Sequence, residues 1–253
     1  SIGVGLYGAL PSVVAMALML AGGISFTAHR ALLTGDVRRF LRMPENRWLF
    51  TIVAVAVGVV LVGFWAAGED VATSVLPGVF YVITAITTCG AGTTVPLSAV
   101  PVSVRFVVLM LMISGAAYGS TTGALKLWRL IIVGKVLGRE VQRPFYPANA
   151  VMTIRVGDRM ISDSQAATVA GYVMLYIVMG LGGSLVFTIF GYQPIDALFT
   201  VFSAQGNVGL NAMSDALYFG MPAALKGLLI LHMLVGRVEI LPLLSLIRGL
   251  RGS

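Results

Sequence analysis

Between residues 87 and 94 the chain reads TTCGAGTT, and between residues 203 and 211 it reads SAQGNVGLN. Both stretches sit beside long apolar segments, yet they concentrate glycine, hydroxyl and amide groups. A helix continuing through a bilayer would have no use for such residues. The fold turns on what a backbone largely stripped of side chains does at those two points.

The surrounding composition is that of a membrane protein. Of the 253 residues, 58% are hydrophobic and 11% are charged, with a mean hydropathy of +0.94. Soluble domains carry about 25% charged residues. The net charge is +7, but 14 of the 17 Lys and Arg fall in blocks: five from Arg30 to Arg47, seven from Lys126 to Arg159, and Arg248 with Arg251 at the end; Arg105, Lys226 and Arg237 lie elsewhere. Short basic loops beside apolar spans mark the cytoplasmic side of a membrane protein, so nucleic-acid binding is not expected. Cys89 is the single cysteine, so no internal disulfide can form. His29 and His232 lie too far apart to make a transition-metal motif. No nucleophile–base pair or phosphate loop points to an enzyme, and no cofactor is expected. The opening at Ser1, almost directly into an apolar span, suggests a piece of a longer protein.

Five apolar spans are expected, at about Pro11–Ala28, Trp48–Ala67, Val102–Val133, Ala166–Phe190 and Ala223–Ile247. Each is long enough for a hydrocarbon core of about 30 Å. The basic blocks follow the first, third and fifth spans, which places those ends, and the C-terminus, in the cytoplasm. The outer segments 68–101 and 191–222 carry the acids Glu69, Asp70, Asp196 and Asp215 and no Lys or Arg. Each outer segment opens with an apolar stretch too short to span, Ala72–Thr87 and Ile195–Gln205, which is expected to form a re-entrant helix.

The two outer segments repeat each other. Shifting FYVITAITTCGA (80–91) by 119 residues gives FTVFSAQGNVGL (199–210), with Phe, Ala and Gly coinciding. The same shift carries Trp48 to Ala167 and Val102 to Met221. The unit is therefore span, short helix, glycine loop, span, used twice in one orientation. Its expected divisions are residues 1–47, closing an earlier unit, then 48–165, whose second span is too long for one helix and is expected to be interrupted, and 166–253. The fold class is an all-α membrane protein of repeated helix–pore-loop–helix units, with five spans and two re-entrant helices.

Irregular backbone at membrane depth is tolerated only inside protein or along water. Glycine-rich loops meet that condition when their carbonyls turn inward and replace the water shell of a cation. Glycine permits the backbone angles that such carbonyls need. The short helix ahead of each loop aims its negative C-terminal end at the ion.

These residues resemble filter loops of the Trk/Ktr/HKT superfamily of potassium transporters. GALKLWRL (123–130), GRVEIL (236–241), RPFYPANAV (143–151) and the position of His29 are similar to further segments of TrkH-type subunits, in the same order. The resemblance covers nearly the whole chain. It implies four such units around one pore, of which this chain holds the third and fourth and the last helix of the second. The third filter is then Thr88, Cys89, Gly90 and Ala91, with Cys89 where Ala or Thr is common. The fourth filter is Asn207, Val208, Gly209 and Leu210. The resemblance also implies an intramembrane gate beneath the filter, formed by Gly115, Gly119, Ser120, Thr121, Thr122 and Gly123 of SGAAYGSTTGALK (114–126), and facing Arg237. The 119-residue shift places Arg237 opposite Tyr118 in that loop. Glu239 is expected to meet another helix, and His29 to act as an interfacial anchor.

The expected function is translocation of potassium, the substrate ion, in the bacterial inner membrane. The competing reading is an alternating-access carrier with broken helices, whose repeats are commonly inverted. The family further implies a homodimer regulated by a cytosolic nucleotide-binding subunit of the TrkA/KtrA type.

Overall fold

The computed structural model describes residues 8–147 and 152–238. The chain is mostly helical, with α1 (Ala9–Gly23), α2 (Phe26–Leu33), α3 (Val37–Arg42), α4 (Pro44–Ala66), α5 (Val71–Ile86), α6 (Val102–Ser114) and α7 (Leu127–Gln142) in the first half. After them come α8 (Asp163–Ile189), α9 (Pro194–Gln205), α10 (Asp215–Phe219) and α11 (Ala223–Val238).

The repeat is visible in the helix ends. The 119-residue shift carries Pro44, the start of α4, onto Asp163, the start of α8. It also carries Ile86, the end of α5, onto Gln205, the end of α9. Both units thus open four residues earlier than Trp48 and Ala167. Pro44 sits in the first turn of α4, where its missing N–H costs nothing. Ser162 and Gln165 form a reciprocal capping box on α8.

Three expectations need correction. The first span is not one helix: α1 and α2 meet at a bend of 107°. Gly22 and Gly23 precede the bend, Ser25 caps the N-terminus of α2, and the Nε2 of His29 donates to the Ala21 carbonyl at 2.8 Å. His29 therefore closes the bend and is not an interfacial anchor. The third span is interrupted within SGAAYGSTTGALK: Gly115 stops α6 at φ 63 and the helix resumes only at Leu127. Among the described residues, only α4 and α8 are single helices long and apolar enough to cross a membrane. The fold is also not all-α. A hairpin of β1 (Ile154–Val156) and β2 (Arg159–Ile161) precedes α8. Its two-residue turn puts Gly157, at φ 59, in the first position, as a tight hairpin requires. Ile154 and Val156 bury against Ile132 and Ala166.

Burial is distributed as in a bilayer protein. The long helices turn apolar side chains outward: Val55, Val59, Val62 and Trp65 on α4, and Met174, Val178, Leu181 and Leu185 on α8. An apolar face of that extent belongs against lipid or protein. The short helices lie inside. From Phe199 to Gln205 every residue of α9 is buried, as are Phe80 to Ile86 of α5. A helix apolar on all sides is an interior helix. α5 packs against α1, α4 and α6, and α9 packs against α6, α8 and α11. Close approach of α4 to α5 needs Gly78, where a Cβ would lie 3.1 Å from Val60 and 3.3 Å from Phe64. The Arg105–Asp196 ion pair, at 3.4 Å, joins the start of α6 to the start of α9 and so ties one unit to the other.

Candidate functional site

Each interior helix ends in the same way. The N–H groups of Thr88 and Cys89 donate to the carbonyls of Ala85 and Thr84. Those of Asn207 and Val208 donate to Ala204 and Ser203, the same pairs shifted by 119. Thr88 and Asn207 are then left-handed, at φ 51 and 53, and Gly90 and Gly209 follow at φ 74 and 89. Two left-handed residues with one residue between them turn the backbone sharply away from the helix axis.

A hydroxyl pins each loop in that shape. Thr84 Oγ1 donates to the Ala91 carbonyl at 3.1 Å, and Ser203 Oγ donates to the Leu210 carbonyl at 2.7 Å. The fourth carbonyl of each loop is thus fastened to its own helix. The carbonyls of Thr88, Cys89 and Gly90, and of Asn207, Val208 and Gly209, accept no hydrogen bond among the described residues. The Cys89 thiol is free and exposed.

The two loops meet. A Cβ on Gly90 would lie 1.8 Å from the Val208 carbonyl oxygen and 3.4 Å from Gly209 Cα. Residues 119 apart in sequence thus converge on one place. No side chain fits at Gly90, whereas a Cβ on Gly209 has nothing within 4 Å.

The interruption between α6 and α7 runs directly beneath. Gly123 N–H donates to Thr88 Oγ1 at 2.9 Å, and a Cβ on Gly123 would lie 2.1 Å from the Gly206 carbonyl. One glycine therefore touches the base of both loops. Ser120 donates to the Ala117 carbonyl at 2.5 Å and Thr121 to the Gly22 carbonyl at 3.1 Å. These hydroxyls satisfy carbonyls freed by the breaks in α6–α7 and α1–α2. Thr122 is buried. Gly115 and Gly119, at φ 63 and 73, make turns that a side chain would strain.

Arg237 lies in the last turn of α11 with an exposed surface. Its neighbour Gly236 makes the closest contact there, with a Cβ position 1.8 Å from the Gln205 carbonyl. Glu239 lies outside the described residues.

One buried pair escaped the reading of the sequence. Gln205 Nε2 donates to the Tyr176 carbonyl at 2.8 Å, which leaves its Oε1 to accept from His232 Nδ1 at 3.0 Å. Both side chains are buried, directly behind the second loop. The equivalent positions in the first unit are Ile86 and Ile113. Two polar residues standing opposite two isoleucines in the repeat alignment were the available signal. The Asn207 side chain adds a second tie, donating to the Met233 carbonyl at 3.1 Å.

The fold and its paired loops define a helical membrane protein built on a repeated helix–loop–helix unit. A family model described as "TrkH: Cation transport protein" matches residues 6–249, and the chain belongs to that family of cation transporters. It is 28% identical over 242 residues to the Trk system potassium uptake protein TrkH of Escherichia coli K12, covering 93% of this chain and 49% of that protein. It is 26% identical over 241 residues to an uncharacterized cation transporter of Methanocaldococcus jannaschii, covering 95% of this chain and 48% of the relative. The crystal structure of the potassium transporter TrkH from Vibrio parahaemolyticus superposes with a TM-score of 0.85 at 25% identity. That match covers 96% of this chain and 53% of the other. The chain thus spans about half the length of the relatives it matches.

Proposed function

We propose that this chain supplies the third and fourth filter loops of a potassium-translocating pore. The observation that carries the reading is the meeting of two loops of like backbone shape, at Gly90 and Val208, each at the end of an interior helix. Main-chain oxygens of Thr88, Cys89 and Gly90, with those of Asn207, Val208 and Gly209, face the ion. Ala91 and Leu210 close each filter, and the hydroxyls of Thr84 and Ser203 hold them in register. Carbonyls held in advance replace the hydration shell without reorganising. Potassium is the substrate, and no resident cofactor takes part.

The membrane topology follows from the same reading. α1 with α2, α4, α6 with α7, α8 and α11 make the five crossings, and α5 and α9 are re-entrant. The basic segments face the cytoplasm, and the protein lies in the inner membrane with its C-terminus inside. The loop from Gly115 to Gly123 is the gate, because an ion leaving the filter meets it next; Arg237 sets a charge barrier at the same level. The pore subunit works as a homodimer, regulated by a cytosolic nucleotide-binding subunit of the TrkA/KtrA type. This part of the proposal is supported by the family's resemblance and by potassium uptake in the names of the Escherichia coli and Salmonella typhimurium relatives.

The test is potassium flux through the full-length protein in liposomes. Asp tolerates a left-handed backbone better than most residues, so Gly209→Asp changes the charge at the filter with little cost to the fold. The expected result is loss of potassium flux to background with the protein still inserted and monodisperse. Undiminished flux, or saturable exchange of an organic solute by the unaltered protein, would overturn the pore.

A further inference from the structure

The interruption between α6 and α7 holds four left-handed residues: Gly115, Gly119, Ala124 and Lys126, at φ 63, 73, 60 and 69. Two of them carry side chains, each at a cost of about 1 kcal/mol. A loop under such strain keeps its shape only while its surroundings hold it. Most of the fastening comes from main chain and hydroxyls. Ala117 N–H donates to the Gly23 carbonyl, Thr121 N–H to the Gly22 carbonyl, and Phe26 N–H to the Gly119 carbonyl. One fastening differs in kind. The Tyr118 N–H donates to the carboxylate of Glu45 at 2.8 Å, across 73 residues.

Glu45 lies in the first turn of α4, where the helix dipole favours a negative charge. Its carboxylate does not cap its own helix. It is half-buried and is committed to the loop. A charged acceptor makes a hydrogen bond about twice as strong as a neutral one. The same end of α4 supports the β-hairpin: the Cβ position of Gly157, in the hairpin turn, is 3.2 Å from the Pro44 ring. A continuous path therefore runs from the hairpin, through Pro44 and Glu45, to the Tyr118 amide.

We infer that Glu45 is a positioning residue that latches the loop of residues 115–126 beneath the filter, and that the 154–161 hairpin sets the latch from the cytoplasmic side. A displacement of the hairpin would shift the first turn of α4 and slacken an ionic tether on a strained loop. The inference rests on the reading of that loop as the gate.

The test uses full-length protein with Glu45→Ala and Glu45→Gln, and Glu140→Gln as a charge control on the exposed surface of α7. Glu45→Gln keeps an amide oxygen able to accept the Tyr118 N–H, and it carries the test should Glu45→Ala fail to fold. Hydrogen–deuterium exchange across residues 113–127 reads the latch without reference to conduction. Exchange there should accelerate about tenfold in Glu45→Ala, rise less in Glu45→Gln and stay unchanged in Glu140→Gln. Potassium flux in liposomes should rise about tenfold in Glu45→Ala, with an unaltered preference for potassium over sodium. Unchanged exchange in both Glu45 variants overturns the latch whatever the flux does. Faster exchange with unchanged flux overturns its control of the pore. Faster exchange in a protein whose unaltered form carries no cation overturns the pore reading and leaves Glu45 as a tether only.

Discussion

Gly90→Ala is expected to abolish the proposed potassium flux and to lower stability, with Gly209→Ala doing far less. The two glycines are equivalent in the repeat and share a left-handed backbone, so the conformational cost of alanine, about 1 kcal/mol, is common to both. Their surroundings differ. The new Cβ at 90 would lie 1.8 Å from the Val208 carbonyl oxygen, a backbone atom with no rotamer to escape into. At 209 the same atom meets nothing within 4 Å. Relief at 90 requires the two loops to separate by more than 1 Å, and overpacking of that kind costs about 1–3 kcal/mol beyond the backbone term. In the proposed pore, a separation of that size would also remove the match between carbonyl spacing and the ion. The measurements are potassium uptake into liposomes and thermal unfolding in detergent. Equal losses for the two variants would mean that the loops do not meet as described.

The second large effect falls behind the second glycine loop. Gln205→Ile leaves His232 Nδ1 without its partner and removes the second hydrogen bond on the Tyr176 carbonyl, and His232→Ile leaves Gln205 Oε1 unpaired. A buried polar group without a partner costs about 1–3 kcal/mol. Each single variant should therefore unfold more readily and conduct poorly, because Gln205 anchors the last turn before Asn207. The double variant reproduces the pair found in the first unit, Ile86 and Ile113. It should be more stable than the sum of the single variants implies, by about 1 kcal/mol, the size of an interhelical hydrogen bond in a membrane protein. Additive losses would show that the two residues act separately. Recovery of stability without recovery of ion preference would assign the polar pair to the shape of the fourth filter, because packing alone would restore both.

The two units differ in a way their common backbone conceals. The first loop is held by a hydroxyl and an apolar surround; the second adds the Gln205–His232 pair and the Asn207 tie to the Met233 carbonyl. The second loop is thus fastened to α8 and α11 by side chains, and the first is fastened from below, through Gly123 on Thr88. Movement of the 115–126 loop would disturb the first glycine loop through this bond.

Much of this was legible along the chain. The glycine loops, their 119-residue equivalence and the ends of the short helices were set by local chemistry: where glycine permits a left-handed turn, where an apolar run is too short to span, where hydroxyls can close a loop. The short helices end at Ile86 and Gln205, within one residue of the expected Thr87 and Gln205. What the sequence did not disclose depends on which surfaces the fold brings together. Ser1 to Ser253 read in order does not tell that Glu45 meets the Tyr118 amide, that Gln205 and His232 share a hydrogen bond, or that the bend at Gly22 and Gly23 receives Thr121. The 107° bend itself was hidden because an apolar run containing two glycines reads the same whether straight or broken. The choice was made by the loop that fills the break. A residue's preferred backbone shape is its own property and is written locally; its partner is decided by the packing of helices far apart in the chain.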